Sequence, residues 1–250
     1  MTETPKYVIV GRGRWAKRMN SILKDEGRST VLIEQARQNA SESPDAYFNR
    51  LKNDFKSSGA QITWLCVPPG KHIPTMIEAA VEAKLHVVIE KPWLCSAEET
   101  KRLQARATAA GVVLAIHYEY CLLETVQAWR ADKNEGNGLR FGGRLHVNRA
   151  DHIGLPALDN LGSHLFSVHE YAVSNSAIAT IDCEYEKPDD RRIWLLNGDR
   201  RVAEIDLLAN KEPIIQRFIA KVESAVRGNE FPFDLQFALR ITERTAQWKS

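Results

Sequence analysis

The chain has 250 residues, of which 44% are hydrophobic and 26% charged, the balance of a folded protein with a real core. A net charge of +2 leaves no electrostatic footprint for nucleic acid or an anionic membrane surface, and no apolar run approaches the roughly 18–20 residues of a membrane span. Cys66, Cys95, Cys121 and Cys183 are scattered without a C-x-x-C pair, and Met1 to Lys6 lack an apolar leader, so a reduced, cytoplasmic protein without a metal is expected, with Cys66 a buried thiol.

The first 117 or so residues alternate short apolar runs with longer helical patterns, the rhythm of a doubly wound parallel sheet. Strands are predicted at Tyr7–Val10, Thr30–Ile33, Ile62–Val67, His86–Ile89 and Val112–Ile116. Helices are predicted at Trp15–Glu26, Asp45–Lys56 and Pro74–Ala83, and from a Ser96 cap to Ala110, with Glu99 completing a capping box. Beyond this the pattern changes. Leu122–Ala131 reads as helix, and Asn134-Glu135-Gly136-Asn137-Gly138 as a turn-rich break. Arg140–Asn148 alternates like a half-buried strand, and Leu161–Val173 reads as helix. Ala177–Tyr185, Arg191–Leu196 and Arg201–Leu208 are closely spaced strands, expected to be antiparallel, with Asn197-Gly198 as a hairpin turn. Glu212–Val226 and Leu235–Trp248 are the closing helices.

Gly11-Arg12-Gly13-Arg14-Trp15-Ala16 fits G-x-G-x-x-G/A between a predicted strand and a predicted helix, the context in which that pattern cradles a pyrophosphate. Gly11 permits the tight turn, Gly13 the close approach of phosphate, and Ala16 close helix–strand packing. Glu34 closes the second strand about 20 residues further on, where an acid bonds a ribose hydroxyl, favouring NAD over NADP. Arg37 stands nearby as either a 2′-phosphate partner or a solvated helix-start charge. A second signal is Val88-Ile89-Glu90-Lys91-Pro92. Pro92 stops the strand, so Lys91 is delivered to the C-terminal edge of the sheet, where open α/β folds bind ligands. An ammonium there can protonate a carbonyl oxygen as hydride arrives, or act in reverse once neutral.

With these residues in place the chain resembles the glucose–fructose oxidoreductase/inositol dehydrogenase (Gfo/Idh/MocA) family. The landmarks are Val10–Ala16, Val67-Pro68-Pro69 with His72, Val87–Pro92, His117-Tyr118-Glu119, Asn160-Leu161-Gly162-Ser163-His164, and Phe231-Pro232-Phe233 with Asp234 and Ala238-Leu239. They run through nearly the whole chain. The resemblance implies an α/β protein: an N-terminal Rossmann domain over 1–118, and a smaller domain over 119–250 with an open, mainly antiparallel sheet, whose final helices are free to pack back on the first. It implies NAD or NADP, and hydride exchange on a sugar, cyclitol, nucleotide sugar or related small carbonyl. Lys91 is then the acid/base, with His164 and Asn160 at the catalytic segment. Arg12, Arg14, Trp15, Val67, Pro68, Pro69, His72 and Glu90 join Gly11, Gly13, Glu34, Arg37 and Lys91 on the cofactor side. Trp93, Tyr118, Glu119, Asp151 and His152 are candidates for the substrate side. Arg191, Arg192, Arg200 and Arg201 read as solvated strand ends.

Three features depart from the family pattern. Asn160 stands where many members carry Asp, Ser167 replaces a frequent Asp, and the second domain is slim, with fewer substrate and sheet-based dimer contacts. The expected partner is a small molecule, with no nucleic acid or membrane, and homo-oligomerisation stays open. Two alternatives stand beside the oxidoreductase: a dinucleotide-binding sensor that kept the fold, and a reductase of an imine or tetrapyrrole.

Overall fold

Tyr7–Val10 (β1) is apolar at every position and fully buried, as a central strand covered on both faces must be. It pairs in parallel with Thr30–Ile33 (β2) on one side and Ile62–Leu65 (β3) on the other. His86–Ile89 (β4) and Leu114–Ile116 (β5) extend the sheet to the order β2-β1-β3-β4-β5. The chain reverses its winding at β1, so the β1/β3 boundary is the switch point where the strand ends leave a crevice. This computed structural model describes residues 4–131, 138–150 and 154–249.

The helices between these strands carry the punctuation read from the sequence. Arg14–Asp25 (α1) follows the glycine turn. Pro44–Ser58 (α2) starts on a Ser43 cap, and Ile73–Glu82 (α3) follows the double proline. Ala97–Ala110 (α4) has the full Ser96/Glu99 capping box and ends on Gly111 in the left-handed region. The third strand ends at Leu65 rather than Val67. The Cys66 N–H still donates to Val10 O, but Pro68 and Pro69 have no N–H to carry the ladder further.

The chain divides into two compact units. The first takes in residues up to His117 together with Lys221–Leu239. Local bonds explain that late segment. Tyr7 OH donates to Glu223 Oε1 at 3.0 Å, Arg28 Nε donates to the same carboxylate at 3.0 Å, and the Ile116 N–H donates to Phe233 O at the edge of β5.

The second unit, Tyr118–Ala220 and the chain from Arg240 on, is built on a four-stranded mixed sheet. Its strands are Leu139–Val147 (β6), Ala177–Tyr185 (β7), Asp190–Asn197 (β8) and Arg200–Asp206 (β9), in the order β7-β6-β8-β9. Here the sequence expectation needs correcting. β8 is antiparallel to β6 and β9 to β8, but β7 runs parallel to β6, so β7 and β8 are not neighbours. The reason lies in the connection: Ala157–Asn160 (α6) and Gly162–Ala172 (α7) form a helical crossover from β6 to β7, and such a crossover returns the chain in parallel. The helix expected over Leu161–Val173 is α7, and the short α6 before it carries no sequence signal of its own. A 3-10 turn at Glu119–Leu122 precedes Glu124–Ala131 (α5). Ile214–Val226 (α8) and Leu235–Lys249 (α9) are the last helices. The predicted break at 134–138 lies outside the described residues except for Gly138. Among the described residues no helix is long and apolar enough to cross a membrane.

Candidate dinucleotide and active site

At the C-terminal edge of β1, Gly11 adopts φ +132°, and a Cβ there would lie 2.5 Å from the Cys66 carbonyl oxygen. Only glycine permits both the backbone angle and this approach of the β1 and β3 ends. Gly13 is the opposite case. It is the N-cap of α1 in extended conformation, and a Cβ would meet nothing within 4 Å, so open space faces the helix terminus. No side chain caps that terminus, and its first turn holds no acid. Uncapped N–H groups, the positive end of the helix dipole and the exposed Arg12 and Arg14 together suit an anion.

Glu34 is exposed just past β2. The loop after it is held by Tyr47, whose OH donates to Ala36 O at 2.8 Å, and by Arg50, which donates to the carbonyls of Gln35 and Arg37. Burial pushes the Tyr47 phenol up to about 12. Arg37 is exposed, and its charge reaches His72, whose imidazole is held below its ordinary pKa first by burial and further by that guanidinium. His72 Nε2 is buried with no hydrogen-bond partner among the described residues. Val67, Pro68 and Pro69 are half-buried and lead from β3 to α3.

Glu90 and Lys91 follow β4 directly, and the Lys91–Pro92 peptide is cis. A cavity of about 500 Å³, ordinary for a small-molecule pocket, opens beside them, lined by Pro69, Ile73, Pro74, Glu90, Pro92 and Trp93 among others. Trp93 is buried, and its indole N–H donates to Thr100 Oγ1 at 2.9 Å. Cys95 lies in the same wall, with its thiol pushed up to about 12 by burial and by Glu99.

Glu90 turns inward. Its Oε1 accepts from Trp15 Nε1 at 2.6 Å and Trp64 Nε1 at 2.7 Å, and His117 Nδ1 lies 3.2 and 3.3 Å from its two oxygens. Burial alone would raise this carboxyl. The charge and hydrogen bond of His117, then the two indole N–H groups, outweigh it and hold Glu90 below the ordinary carboxylate range. Trp64 and His117 escape sequence reasoning as parts of this site. The available signal is strand register. The His117 N–H donates to Ile89 O and Leu65 pairs with Ile89, so the period of two puts Trp64, Glu90 and His117 on one face.

In the second unit the Asn160 Nδ2 donates to Tyr185 OH at 2.8 Å, and both Asn160 and His164 are buried at 8% exposure. The His164 ring lies 4.5 Å from that of Tyr120, centroid to centroid. Ser167, where the family often carries Asp, turns its hydroxyl back to the His164 carbonyl at 2.8 Å. Tyr118 is fully buried, with its phenol pushed up by burial, and Glu119 is half-buried. Asp151 and His152 lie outside the described residues.

Residues 6–118 match the Gfo/Idh/MocA family model, described as an oxidoreductase family with an NAD-binding Rossmann fold. Over these residues the chain is similar to the Rossmann domain of the Gfo/Idh/MocA oxidoreductases. No curated protein matches it in sequence. Among solved structures, the WlbA (WbpB) dehydrogenase of Thermus thermophilus, in complex with NAD and UDP-GlcNAcA, is 15% identical with a TM-score of 0.73, covering 99% of this chain and 95% of that one. The UDP-N-acetylglucosamine 3-dehydrogenase GnnA of Acidithiobacillus ferrooxidans is 14% identical with a TM-score of 0.75, covering 97% and 96%. The scyllo-inositol dehydrogenase of Lactobacillus casei, with bound NAD(H) and scyllo-inositol, is 12% identical with a TM-score of 0.67, covering 98% and 95%. At such identities the likeness establishes a common fold. The family cofactor is NAD, and the open, uncapped glycine turn of this chain fits its pyrophosphate.

Proposed function

We propose that this protein is an NAD(P)-dependent oxidoreductase acting on a small polar substrate, a sugar, cyclitol, nucleotide sugar or related carbonyl compound. The observation that carries the reading is the pairing, on one sheet edge, of an open glycine turn after β1 with a lysine delivered by β4. The substrate class is supported by the sugar-nucleotide and inositol dehydrogenases that share the fold. The bound dinucleotide supplies the hydride acceptor or donor.

The rest falls to the chain's own groups. Uncapped N–H groups of α1 hold the pyrophosphate, with Arg12 and Arg14 adding positive charge. Glu34, exposed at the end of β2, accepts from ribose hydroxyls and repels a 2′-phosphate, which favours NAD over NADP. Lys91 is the acid/base. Its ammonium gives a proton to the substrate carbonyl oxygen in reduction, and its neutral amine takes the alcohol proton in oxidation. His164 and Asn160 orient substrate. Asn160 is a neutral amide bonded to Tyr185 and has no proton to exchange, so proton transfer is assigned to Lys91.

The test is turnover by Lys91→Ala on substrates found by screening UDP-sugars, cyclitols and sugar acids. A fall of roughly 10²–10⁴-fold is expected, with dinucleotide affinity largely kept. Equal activity of variant and wild type would overturn the assignment of Lys91. Tight dinucleotide binding with no turnover on any substrate would favour a sensor instead.

A further inference from the structure

Glu90 takes no part in the proton transfer proposed above, yet its carboxylate joins four segments of the first unit. Trp15 comes from the first turn of α1, Trp64 from β3, and His117 from the residue after β5. The rings also pack against one another. Trp15 stacks on His117 at 5.8 Å and 24°, Trp64 meets His117 edge-on at 5.1 Å, and the Arg18 guanidinium lies over the Trp15 ring at 5.5 Å. A buried carboxylate is a costly filler, and an apolar residue of similar size would pack the same space without desolvating a charge. What the carboxylate adds is direction: a strong acceptor aimed at one N–H of the phosphate-binding turn. The N-terminus of α1 has no side-chain cap, so the helix does not tie down its own first turn. The Trp15–Glu90 bond does.

We infer that Glu90 is a positioning residue for the dinucleotide, acting through the indole N–H of Trp15 to lock the phosphate-binding turn onto the strand end that carries Lys91. The inference rests on the dinucleotide reading above. Phosphate bound to the α1 N–H groups pulls on the turn, and the 2.6 Å bond at Trp15 resists its displacement. Since Glu90 and Lys91 are consecutive, the same bond fixes the spacing of the phosphate cradle from the acid/base.

The test is NADH titration by fluorescence, with melting temperature measured in parallel, on Trp15→Phe, Leu103→Ala, Glu90→Leu, Glu90→Gln and the Trp15→Phe/Glu90→Leu double variant. Trp15→Phe keeps a ring against His117 and loses only the N–H. It should weaken NADH binding about tenfold, the scale of one hydrogen bond to a charged group. Glu90→Leu should weaken binding at least as much, and the double variant should bind within about twofold of Glu90→Leu, because the two residues act as one unit. Glu90→Gln keeps an oxygen for the indoles and should recover most of the affinity that Glu90→Leu loses. Leu103→Ala empties a core position of α4 away from the turn, and should lower the melting temperature with NADH affinity nearly unchanged. A purely structural role predicts instead that affinity follows melting temperature across all variants, and that result would overturn the inference. So would wild-type affinity in Trp15→Phe, which stands as a test even if Glu90→Leu fails to fold. Absence of NADH binding by the wild type would instead bring down the dinucleotide reading, and this inference with it.

Discussion

At the C-terminal edge of the first sheet one carboxylate is held by two indole N–H groups and a histidine, with its side chain only 14% exposed. On the second sheet, arginines and acids stand side by side across the strands. Arg144 pairs with Asp182 at 2.7 Å and Asp190 at 3.1 Å, Arg192 pairs with Asp190 and Glu204, and Arg201 pairs with Glu204 and lies over Trp194. The arginines there are 42–45% exposed. A carboxylate thus meets opposite physics in the two places. Exposed pairs are screened and exchange freely with water, while a buried carboxylate depends on every donor around it. The number of ion pairs is therefore a poor guide to where charge matters in this protein. His146, Asp182 and Glu184 illustrate this. Their ligand-type atoms lie within 4.8 Å of one another, yet Asp182 is already bonded to Arg144 and His146, and Glu184 to Lys187.

The contrast can be broken from either end. The largest effect is expected at Gly11, where Ala would need φ +132° and would drive a methyl group into the Cys66 carbonyl. Gly11→Ala should cost about 3 kcal/mol or more in urea unfolding, since neither backbone can give way without opening the β1–β3 pair. Unchanged stability would mean that the strand ends do not approach as described. The smallest effect is expected on the second sheet. Arg144→Ala should cost no more than about 1 kcal/mol, and the difference should shrink in high salt. A larger, salt-insensitive loss would show that the exposed network behaves like the buried one.

Much of the first unit is legible in the sequence because its signals are local. Four-residue apolar runs, the glycine turn, the Ser96/Glu99 box and the proline stops each act within a few residues, and they locate the strand ends that position Gly11, Glu34 and Lys91. What the sequence hides is relation between strands. β7 looks like the partner of β8 because the two are adjacent along the chain, whereas the helical crossover sends β7 to the far side of β6. Glu90 reads as a cofactor contact from its place beside Lys91. Its partners, Trp64 on β3 and His117 after β5, become visible only once the register Leu65–Ile89–Ile116 is known. The Phe233 carbonyl at the edge of β5, more than a hundred residues along the chain from its donor, carries no local signature at all.

The central claim is that the turn after β1 holds a dinucleotide pyrophosphate, and Gly13 tests it most directly because a Cβ there meets nothing within 4 Å. A Cβ at Gly13 points into open space, so Gly13→Val should fold with an unchanged melting temperature. In NADH titrations followed by fluorescence, the wild type should saturate and Gly13→Val should bind at least about tenfold more weakly, because the valine occupies the volume through which phosphate reaches the backbone. Equal NADH affinity in a normally folded Gly13→Val would contradict the account.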